Sequence, residues 1–522
     1  MSSAGRGARS VATAGIRAAL ERAGLLTGVR GTLPAEVSAI TDDSRQLGAG
    51  ACFVAVRGSA RDGHTFLPMV ADAGATLVIC EDAEGTSLPA LMVNDTRAAA
   101  AVAAVAFYGE PANGMQLVGV TGTNGKTTTV GILRHLLDEP EARAASIGTL
   151  GVLLGSGGAP LPGGAGLTTP GPIELQRVLR ALADAGVKRV AMEVSSHALA
   201  QQRVRGVEFS AAVFTNLTRD HLDYHGTMER YFEAKALLVA ALASDGTAVV
   251  NADDSAWSAL PHAPQLLRFS IASAEIASSH LVSSDCPVEI CATDVRFEPR
   301  GSVWTLRHGS GSADVRLPLI GDFNVANALA AAAAARALGL SLVTIAERLA
   351  TVPQVPGRLE VLSERPTVLR DYAHTPDALD RALLALRPFT PGRLIVLFGC
   401  GGDRDRGKRP LMAEAARARA DHLVVTSDNP RTEDPERIID EIVVPLREGT
   451  YDRIEDRRAA IVHAIALADP VRDVVLLAGK GHETYQIRGT AVLPFDEKQI
   501  VHELLAVGGA FDVAPRVGNE AS

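Results

Sequence analysis

Cysteine is scarce in this chain, and its spacing excludes a common type of metal site. Five cysteines are spread over 522 residues, and only Cys286 and Cys291 lie close together in the sequence. No second close pair accompanies them, so the cysteines lack the paired spacing of a zinc site. We therefore expect reduced thiols, as is typical of a cytoplasmic protein.

The sequence also lacks long apolar runs and an excess of positive charge. No stretch has the length and apolarity of a membrane-spanning helix. The formal net charge is −9, whereas general nucleic-acid binding needs a basic face. Basic residues occur near the start of the chain, but no apolar core and cleavage site follow them, so a signal peptide is not expected. With 47% hydrophobic residues, the chain has enough apolar side chains for buried cores.

A glycine-rich run is the most informative feature that is present. Residues 122–128 read Gly-Thr-Asn-Gly-Lys-Thr-Thr, after an apolar stretch at 117–120 and before a helix-like segment at 130–137. Strand, glycine-rich loop and helix in this order form a nucleotide phosphate site, because loop N–H groups and the helix N-terminus face the phosphate oxygens. Lys126 would reach the terminal phosphates, and the hydroxyl of Thr127 would bind Mg²⁺.

The loop departs from the usual phosphate-binding pattern at one position. The usual loop has a glycine five residues before the Gly-Lys pair, and this chain has Val120 there. The alternative is a glycine turn without a ligand. The order of strand, glycines, lysine and threonine favours a phosphate loop of a subtype, Gly-x-x-Gly-Lys-Thr-Thr.

The length predicts roughly three domains, and three blocks are separable at 1–112, 113–355 and 356–522. Strand-like and helix-like segments alternate along the chain, which predicts an α/β fold with mostly parallel sheets. Pro353 and Pro356 mark a linker between the second and third blocks. The strand-like segments are 53–56, 76–80, 189–192, 211–214, 247–250, 367–369, 394–398, 423–425 and 474–477.

Two further segments complete this organisation. A long alanine-rich helix is expected after Asn324. The glycine- and proline-rich segment 155–166 is interpreted as a mobile loop.

Polar residues follow the predicted strands of the second block. Ligands of open α/β folds gather at the carboxyl ends of strands, so these residues are expected in one region. Glu193 follows one strand and is a candidate Mg²⁺ ligand. His221, Asp223 and His225, in the segment 215–225, could be metal ligands or general bases. A polar loop held by its own hydrogen bonds is an equal alternative, because the spacing is not diagnostic.

The boundary of the third block carries two further candidates. Asp371 could bind a ribose hydroxyl, or it could be a turn or cap residue. Arg358 lies on the proposed linker and could move onto a γ-phosphate when domains close. The ordinary alternative for Arg358 is a surface arginine.

Charged loops at three strand ends of the third block suit a zwitterionic amino acid. Arg404, the segment 428–431 and Glu483 each follow a predicted strand. Arginine binds a carboxylate through two parallel hydrogen bonds, and glutamate binds an ammonium group. The alternative is solvated charge at loop tips.

Taken together, these motifs resemble the Mur ligase family. The resemblance extends from Thr41 to Glu483 and implies a smaller N-terminal α/β domain, a central P-loop-type ATPase domain and a C-terminal Rossmann-like domain. The domains would bind a UDP-sugar, ATP and an amino acid, respectively. The matching motifs lie at residues 122–128, 168–170, 193–197, 216–225, 371–376, 428–431 and 479–483.

The resemblance also implies a reaction in cytoplasmic peptidoglycan precursor synthesis. ATP would phosphorylate the free carboxylate of UDP-N-acetylmuramoyl-L-alanyl-D-glutamate, and the amine of meso-2,6-diaminopimelate would attack the acyl phosphate. Phosphate must be the leaving group because a free carboxylate is a poor electrophile, and Mg²⁺ with Lys126 would neutralise the phosphate charge. A monomer is expected.

Site residues follow from the resemblance by position. The UDP-sugar and its peptide would contact Asp42, Ser44, Ser59, Ala60, Arg61, Thr168, Thr169, Ser195, Gln201 and Arg203. ATP would contact Gly122, Thr123, Asn124, Gly125, Lys126, Thr127, Thr128, Asn327, Arg358 and Asp371. Diaminopimelate would contact Arg404, Asp428, Asn429, Pro430, Arg431, Gly479 and Glu483. The magnesium ligands would be Thr127, Glu193, His221 and Lys235, and the catalytic residues Lys126, Glu193, His221 and Lys235.

Lys235 is the residue on which the two lines of reasoning differ. From the residues alone it is an exposed lysine on a helix surface, since lysines are seldom buried. The resemblance instead implies that CO₂ carbamylates its amine. Carbamylation would turn a cation into an anion that binds a second Mg²⁺.

Two other functions compete with an amino-acid ligase of this kind. A folylpolyglutamate synthetase shares the phosphate loop and the fold, but the Ser44 region and the motif at 428–431 argue against it. A P-loop switch protein would bind nucleotide to control a partner, and its ATP turnover would not depend on an amino acid.

Overall fold

The computed structural model describes residues 10–58, 61–164, 166–271 and 289–508. Within these residues, three large sheets follow one another along the chain, with five, eleven and six strands. The mixed α/β architecture with mostly parallel sheets confirms the predicted fold class. None of the described helices is long and apolar enough to cross a membrane. Elements are numbered in chain order.

The N-terminal sheet has the strand order β2-β7-β6-β5-β4, in which β2 is antiparallel to β7 and the other pairs are parallel. Its longest helix begins where Asp95 accepts hydrogen bonds from the backbone of Arg97 and Ala98. The strands are β1 Val11–Ala12, β2 Leu26–Arg30, β3 Glu36–Val37, β4 Ala39–Thr41, β5 Ala51–Val54, β6 Ala75–Cys80 and β7 Ala90–Val93, and the helices are α1 Thr13–Arg22, α2 Leu67–Val70 and α3 Thr96–Tyr108.

The first part of the central domain surrounds the phosphate loop. Its strand β8 is central in the eleven-stranded sheet, with parallel neighbours on both sides. The elements are β8 Gln116–Thr121, α4 Lys126–Leu137, β9 Ala144–Gly148, β10 Gly151–Leu154, β11 Ala159–Leu161, α5 Pro172–Asp184, β12 Arg189–Glu193, α6 Ser196–Ala200, β13 Phe209–Phe214, α7 Leu222–His225 and α8 Met228–Ala236.

The second part extends the sheet to its far edge. The full order is β11-β10-β9-β12-β8-β13-β14-β15-β16-β17-β18, parallel from β9 to β16 and antiparallel at both edges. The elements are β14 Leu242–Asn251, β15 Gln265–Ile271, β16 Ile290–Glu298, β17 Gly301–His308, β18 Gly311–Leu317, α9 Asp322–Ala337 and α10 Leu342–Leu349.

The interpretation of 155–166 as a loop was wrong in part. Residues Ala159–Leu161 form β11, which pairs antiparallel with β10. Pro160 is compatible with this strand because β11 is at the edge of the sheet, where a missing backbone donor is tolerated. The predicted mobility of this segment stays a prediction.

The alanine-rich helix α9 begins at Asp322, two residues before Asn324. It shares a core with α4, the helix that follows the phosphate loop. Seven alanines of α9 are buried, and their small side chains let the two helices approach closely. This packing brings the face of α9 that carries Asn327 to the phosphate loop.

The C-terminal sheet has the order β19-β20-β24-β21-β22-β23, antiparallel at β19 and otherwise parallel. Its last helix is held by an ion pair between the fully buried side chains of Arg457 and Glu497. The strands are β19 Glu360–Glu364, β20 Thr367–Asp371, β21 Leu394–Phe398, β22 His422–Val425, β23 Asp452–Arg453, β24 Val474–Ala478, β25 Tyr485–Arg488 and β26 Ala491–Pro494, and the helices are α11 Pro376–Leu386, α12 Lys408–Arg419, α13 Pro435–Val443, α14 Arg457–Leu467 and α15 Glu497–Gly508.

The predicted strands are confirmed, apart from small shifts at their ends. The largest shift is at 247–250, where β14 already begins at Leu242. The three-sheet division follows the order of the predicted blocks, whereas their exact boundaries stay predictions.

Candidate functional site

The phosphate loop turns sharply between β8 and α4. Gly122 has a φ of +147° and Gly125 a φ of +85°. A Cβ atom at Gly122 would lie 1.9 Å from Oγ1 of Thr215, and one at Gly125 would lie 2.2 Å from Oδ1 of Asn327. Both positions therefore require glycine for space as well as for conformation.

Lys126 lies folded over this loop. Its Nζ donates to the carbonyl oxygens of Gly122 and Thr123, at 2.9 and 2.8 Å. Burial lowers the pKa of Lys126, and the charge of Glu193 opposes that change. An ammonium group held over a loop of this kind is placed to meet phosphate oxygens.

The loop is braced by neighbouring strand ends. The Asn124 backbone donates to Oδ1 of Asn216 at 2.9 Å, and the Asn124 side chain donates to Asp377 of the C-terminal domain at 3.3 Å. Asn327 approaches Thr129 at 3.5 Å. Thr128 is buried in the first turn of α4. The predicted ATP residues of the central domain are thus gathered at one place.

Glu193 lies at the end of β12 with its side chain buried. Its Oε2 accepts hydrogen bonds from Oγ1 of Thr127 at 3.1 Å and Oγ1 of Thr149 at 3.2 Å. Its Oε1 accepts from the Thr149 backbone at 2.8 Å. A carboxylate and a hydroxyl at this distance supply the hard oxygen ligands that Mg²⁺ prefers.

Arg358 and Asp371 bring the C-terminal domain to the same place. Arg358 donates from Nη2 to Oγ1 of Thr127 at 3.0 Å, and its guanidinium lies over the ring of Tyr372 at 4.7 Å. The alternative of a solvated surface arginine is therefore wrong. Asp371 accepts a hydrogen bond from the Leu359 backbone at 2.6 Å, and burial raises the pKa of Asp371 to about 6. Asp371 therefore makes the backbone hydrogen bond expected of a turn or cap residue. Its predicted contact with a ribose hydroxyl stays a prediction.

Lys235 is buried, so its interpretation as an exposed helix lysine was wrong. Its side chain is 1% exposed, its Nζ donates to the Gly122 carbonyl at 2.8 Å, and the same Nζ lies 4.5 Å from the centre of the Tyr231 ring. Burial lowers the pKa of Lys235 well below its ordinary value, and the nearby charge of Lys126 lowers it further. The helix turns this residue inward because α8 packs against the loop.

His221 lies in a cluster of aromatic rings beside the phosphate loop. Its backbone has a φ of +53°, its Nε2 is 3.4 Å from the Asp220 carboxylate, and its ring is 4.8 Å from that of His197. Burial lowers the pKa of His221 and lowers that of His197 to about 4. His225 is hydrogen-bonded to the hydroxyl of Ser196 on α6 at 2.9 Å, so this ring is tied to a neighbouring helix.

The residues predicted to hold the muramoyl peptide form one network. Oγ1 of Thr169 accepts from the Ser195 backbone at 3.0 Å, and the Thr169 carbonyl accepts from Arg203 at 2.9 Å. Arg203 also donates to Gln201 at 2.7 Å. Thr168 accepts from Oγ1 of Thr149, the residue that holds Glu193, at 3.3 Å. The network therefore adjoins the candidate metal site.

The structure describes three of the predicted UDP contacts of the N-terminal domain, Asp42, Ser44 and Arg61. Asp42 is exposed, and Ser44 begins a short 3-10 helix after it. Arg61 is exposed, and its carbonyl accepts from the Gly58 backbone at 2.9 Å. Ser59 and Ala60 lie outside the described residues.

A second network lies at the strand ends of the C-terminal domain. The buried ammonium of Lys480 donates to Oδ1 of Asn429 and Oε2 of Glu483, both at 3.1 Å, and lies 3.8 Å from Asp428. Asn429 also donates to Glu483 at 2.8 Å. Gly479 has a φ of +111°, and a Cβ atom there would lie 2.7 Å from the Asp428 carboxylate.

Two arginines flank this network. Arg431 has a φ of +52°, and its Nη1 donates to the Gly402 carbonyl at 2.9 Å. The carbonyl oxygen of buried Pro430 packs against Gly402, and a Cβ atom at position 402 would lie 1.9 Å from that oxygen. Arg404 is exposed and donates to the Asp403 carbonyl at 3.2 Å. Both guanidinium groups are bonded to neutral carbonyls, which leaves their charge available to an acidic ligand.

A cavity of about 590 Å³ joins the two domains. The central domain contributes His197 and the polar loop 218–223, and the C-terminal domain contributes the remaining wall. The C-terminal residues that line it include Tyr372, His374, Arg404, Lys408, Asp428, Asn429, Arg431, Gly479 and Glu483. The cavity therefore holds basic and acidic groups close to the phosphate loop.

Sequence reasoning did not identify two residues of these networks. Thr149 follows β9 without a recognisable motif, yet it holds Glu193 through both backbone and side chain. Lys480 lies inside the motif at 479–483, but only its position between Asn429 and Glu483 reveals its role as a brace.

Three family models match successive stretches of this chain. The model "Mur ligase family, catalytic domain" matches residues 36–116, "Mur ligase middle domain" matches 120–335, and "Mur ligase, glutamate ligase domain" matches 357–481. Together they span the three sheets.

Individual relatives and solved structures agree with these matches. UDP-N-acetylmuramoyl-L-alanyl-D-glutamate–2,6-diaminopimelate ligase of Geobacillus thermodenitrificans is 44% identical over 475 residues, which are 89% of this chain and 94% of the relative. A solved structure of a ligase with the same name is 33% identical, with a TM-score of 0.62 over 91% of this chain and 96% of that one. A Mycobacterium tuberculosis folylpolyglutamate synthase complexed with ADP and AMPPCP is 22% identical, with a TM-score of 0.60 over 74% of this chain and 92% of that one.

Proposed function

The chain belongs to the Mur ligase family, and from this premise we propose that it joins 2,6-diaminopimelate to UDP-N-acetylmuramoyl-L-alanyl-D-glutamate with the use of ATP. Relatives that carry this name are 44% identical over about nine-tenths of the chain. The enzyme is thus an ATP-dependent ligase that forms an amide bond. The likeness to folylpolyglutamate synthase, at 22% identity, extends to the fold alone.

One observation carries the proposal furthest. The cavity near the phosphate loop is lined by His221 from the central domain and by Arg404 and Arg431 from the C-terminal domain. Two guanidinium groups suit a substrate with two carboxylates, and Glu483 suits its ammonium group. A doubly acidic amino acid would thus lie between the C-terminal strand ends and the activated acyl group.

The residues at the phosphate end fit magnesium. Oγ1 of Thr127 and Oε2 of Glu193 are 3.1 Å apart at the mouth of the loop, and both are hard oxygen donors. Bound Mg²⁺ would neutralise the charge of the phosphate oxygens and so permit a carboxylate to approach them. Lys126 would exchange its hydrogen bonds to two backbone carbonyls for contacts with the terminal phosphates. Arg358 would likewise exchange its hydrogen bond to the Thr127 hydroxyl for a contact with the γ-phosphate.

Lys235 fits the chemistry of a carbamate precursor. An amine adds to CO₂ only when it is uncharged, and burial, which lowers the pKa of Lys235 well below its ordinary value, favours that form. The carbamate would be an anionic oxygen ligand for a second Mg²⁺, with His221 as a further candidate. Modification of Lys235 and the metal roles of these residues are part of the proposal.

The two organic substrates would be held by the networks on either side of this centre. Thr169, Ser195 and Arg203 would orient the peptide so that its D-glutamyl carboxylate faces the γ-phosphate. The diaminopimelate amine would attack the carbonyl carbon of the resulting acyl phosphate and form a tetrahedral intermediate. The C–O bond to phosphate would then break, and the nitrogen would lose a proton to give the neutral amide. Glu483 and Asp428 would orient that amine. We further propose the meso isomer as substrate, a cytoplasmic location and a monomeric enzyme.

Phosphate release, combined with mass spectrometry of the product, tests the function. Release should require both the UDP-substrate and meso-diaminopimelate, and the product should contain one of each, less one water. Release that is independent of an amino acid would indicate a nucleotide switch. Release that requires a folate and glutamate would indicate the synthase alternative.

A pair of lysine variants tests the assignment of the loop. Lys126→Ala should lower the rate on the order of 10²-fold or more, because the charge that faces the phosphates is lost. Lys188→Ala removes an exposed lysine of the same domain and should leave the rate unchanged. Similar rates for the two variants would contradict the assignment.

A further inference from the structure

Two histidines and an aspartate converge at the outer edge of the C-terminal sheet. His422 is the first residue of β22, Asp452 is the first residue of the edge strand β23, and His463 lies on α14. Nε2 of His422 and Nε2 of His463 lie 2.8 and 2.7 Å from the same oxygen, Oδ2 of Asp452. A ligand atom from each of the three residues lies within 4.8 Å of the others.

The cluster is separate from the catalytic cavity. His422 is at the amino end of its strand, whereas the cavity residues Asp428 and Asn429 follow the carboxyl end of that strand. The three side chains are between 27% and 38% exposed. An ion and a water molecule therefore have access to it, while the sheet and the helix hold the ligands on a rigid frame.

The cluster offers two imidazole nitrogens and one carboxylate oxygen. Because these three ligand atoms come from a strand, an edge strand and a helix and lie within 4.8 Å of one another, modest side-chain rotation would bring all three onto one ion. Three protein ligands leave a fourth position of a tetrahedral ion open to water.

We propose that His422, Asp452 and His463 bind one divalent transition-metal ion of the zinc class. Two imidazole nitrogens and one carboxylate oxygen suit Zn²⁺, Co²⁺ or Ni²⁺, whereas Mg²⁺ and Ca²⁺ prefer oxygen ligands alone. Tetrahedral ligands of zinc lie about 3.3 Å apart. The two nitrogen–oxygen distances would therefore lengthen by about 0.5 Å, which side-chain rotation permits. Each neutral ring would carry its remaining proton on Nδ1.

The ion would stabilise the edge strand β23 of the C-terminal sheet. The strand β23 has two residues and pairs with β22 on one side, and the ion would add bonds to β22 and α14. Glu455, just beyond β23, accepts through its carbonyl from the backbone of Ser427 and the side chain of Thr426. These two residues lead directly into the cavity wall at Asp428. The site would thus stabilise the folded domain without taking part in the reaction.

Metal titration of the full-length chain without a histidine tag tests this inference. The chain is first freed of metal with a chelator, and millimolar Mg²⁺ is present throughout to occupy oxygen-ligand sites. Calorimetry should show one Zn²⁺ per chain, and Co²⁺ should give the visible absorption of a nitrogen-ligated ion. His463→Gln and Asp452→Asn should each weaken binding at least about 100-fold, because each removes a ligand.

The control removes a histidine elsewhere. His262 is exposed in the central domain, and His262→Gln should bind Zn²⁺ as the wild type does. Zn²⁺ should raise the unfolding temperature of the wild type and of His262→Gln, but not that of His463→Gln. Unchanged affinity in both ligand variants would overturn the proposal, as would the absence of a nitrogen-ligated Co²⁺ spectrum in the wild type. The spectrum decides the matter even if the ligand variants fold poorly.

Discussion

Lys235 and Lys480 are both almost completely buried, yet their surroundings are opposite. Lys235, on the central domain, donates to a backbone carbonyl and lies over a tyrosine ring, and the nearest charge that lowers its pKa is another lysine. Lys480, on the C-terminal domain, lies 3.1 Å from Glu483 and 3.8 Å from Asp428. Among the described residues, an ion pair with a carboxylate is found for Lys480 and not for Lys235.

The different surroundings of the two lysines show how a fold can give the same side-chain type two different roles. Burial without an ion-paired carboxylate favours the neutral amine, because desolvation outweighs the more distant charge of Asp220. A neutral amine is a nucleophile and can be modified. Burial between carboxylates instead joins neighbouring loops, because removal of the cation would leave those acids uncompensated. The first lysine therefore belongs to the chemistry of the phosphate end, and the second to the geometry of the amino-acid end.

The sharpest contrast should come from removal of the neutral lysine. We expect Lys235→Ala to lower the ligase rate on the order of 10³-fold while the fold is retained, because the proposed carbamate ligand of Mg²⁺ would be lost at a site of developing charge. Formate or acetate should partly restore the rate by occupying the vacated space. Wild-type enzyme depleted of CO₂ should lose activity and regain it with bicarbonate. A fully active Lys235→Ala enzyme would remove Lys235 from the mechanism.

Removal of the paired lysine should affect folding and amino-acid binding together. Lys480→Met should lower the free energy of unfolding by about 2–3 kcal/mol, because two acids lose their buried partner while solvent in the cavity screens part of the loss. The KM for diaminopimelate should rise and that for ATP should stay close to the wild type. Added carboxylates should not restore activity, in contrast to Lys235→Ala. Equal increases in both KM values would show that Lys480 does not act through Glu483.

The amino-acid end should also depend on a free cation. Arg431→Ala should raise the KM for diaminopimelate about tenfold or more, because an unpaired carboxylate costs about 1–3 kcal/mol. The KM values for ATP and the UDP-substrate should change little. The wild type should use meso-diaminopimelate far better than L-lysine, which lacks the distal carboxylate. Arg417→Ala, at an exposed position of the same domain, is the matched control, and an equal effect in that variant would contradict a specific role for Arg431.

The smallest effect should appear in the pH dependence of stability. In CO₂-free buffer, burial lowers the pKa of native Lys235, whereas unfolded Lys235 keeps its ordinary pKa of about 10.4. Between these two pKa values the unfolded state binds more protons than the native state, so this residue makes stability rise with pH by up to about 1.4 kcal/mol per unit in that window. Denaturant unfolding of Lys235→Met should show a shallower rise than the wild type. Parallel curves would mean that Lys235 is charged when buried.

The sequence alone predicted much of the fold and the location of the phosphate end. Glycines at 122 and 125, the following Lys126 and the apolar run before them are local signals, since each depends on neighbours within a few residues. Polar residues after apolar strands, such as Glu193, were correctly expected to gather because parallel strands end at one edge of a sheet. The residues that the family resemblance assigns to the muramoyl peptide lie in one hydrogen-bonded network, and their contact with that substrate stays a prediction.

Other features depended on contacts between distant parts of the chain. Segment 155–166 was expected as a loop because it is rich in glycine and proline. Its strand β11 forms only by pairing with β10, which the composition does not indicate. No sequence motif with a fixed spacing links His422, Asp452 and His463. They come together because β22, β23 and α14 pack against one another. Thr149 supports Glu193 across 44 positions of the sequence, which no local pattern indicates.

The sequence by itself determined that the chain is an α/β protein with a phosphate loop and charged strand ends, because periodicity and glycine placement act over short distances. Tertiary structure alone decided which charged side chains lost water and which partners they kept. Lys235 meets the Gly122 carbonyl across 113 positions, and Lys480 meets Asn429 across 51. Desolvation and pairing set the protonation and role of a lysine, and both arise only when distant segments pack together.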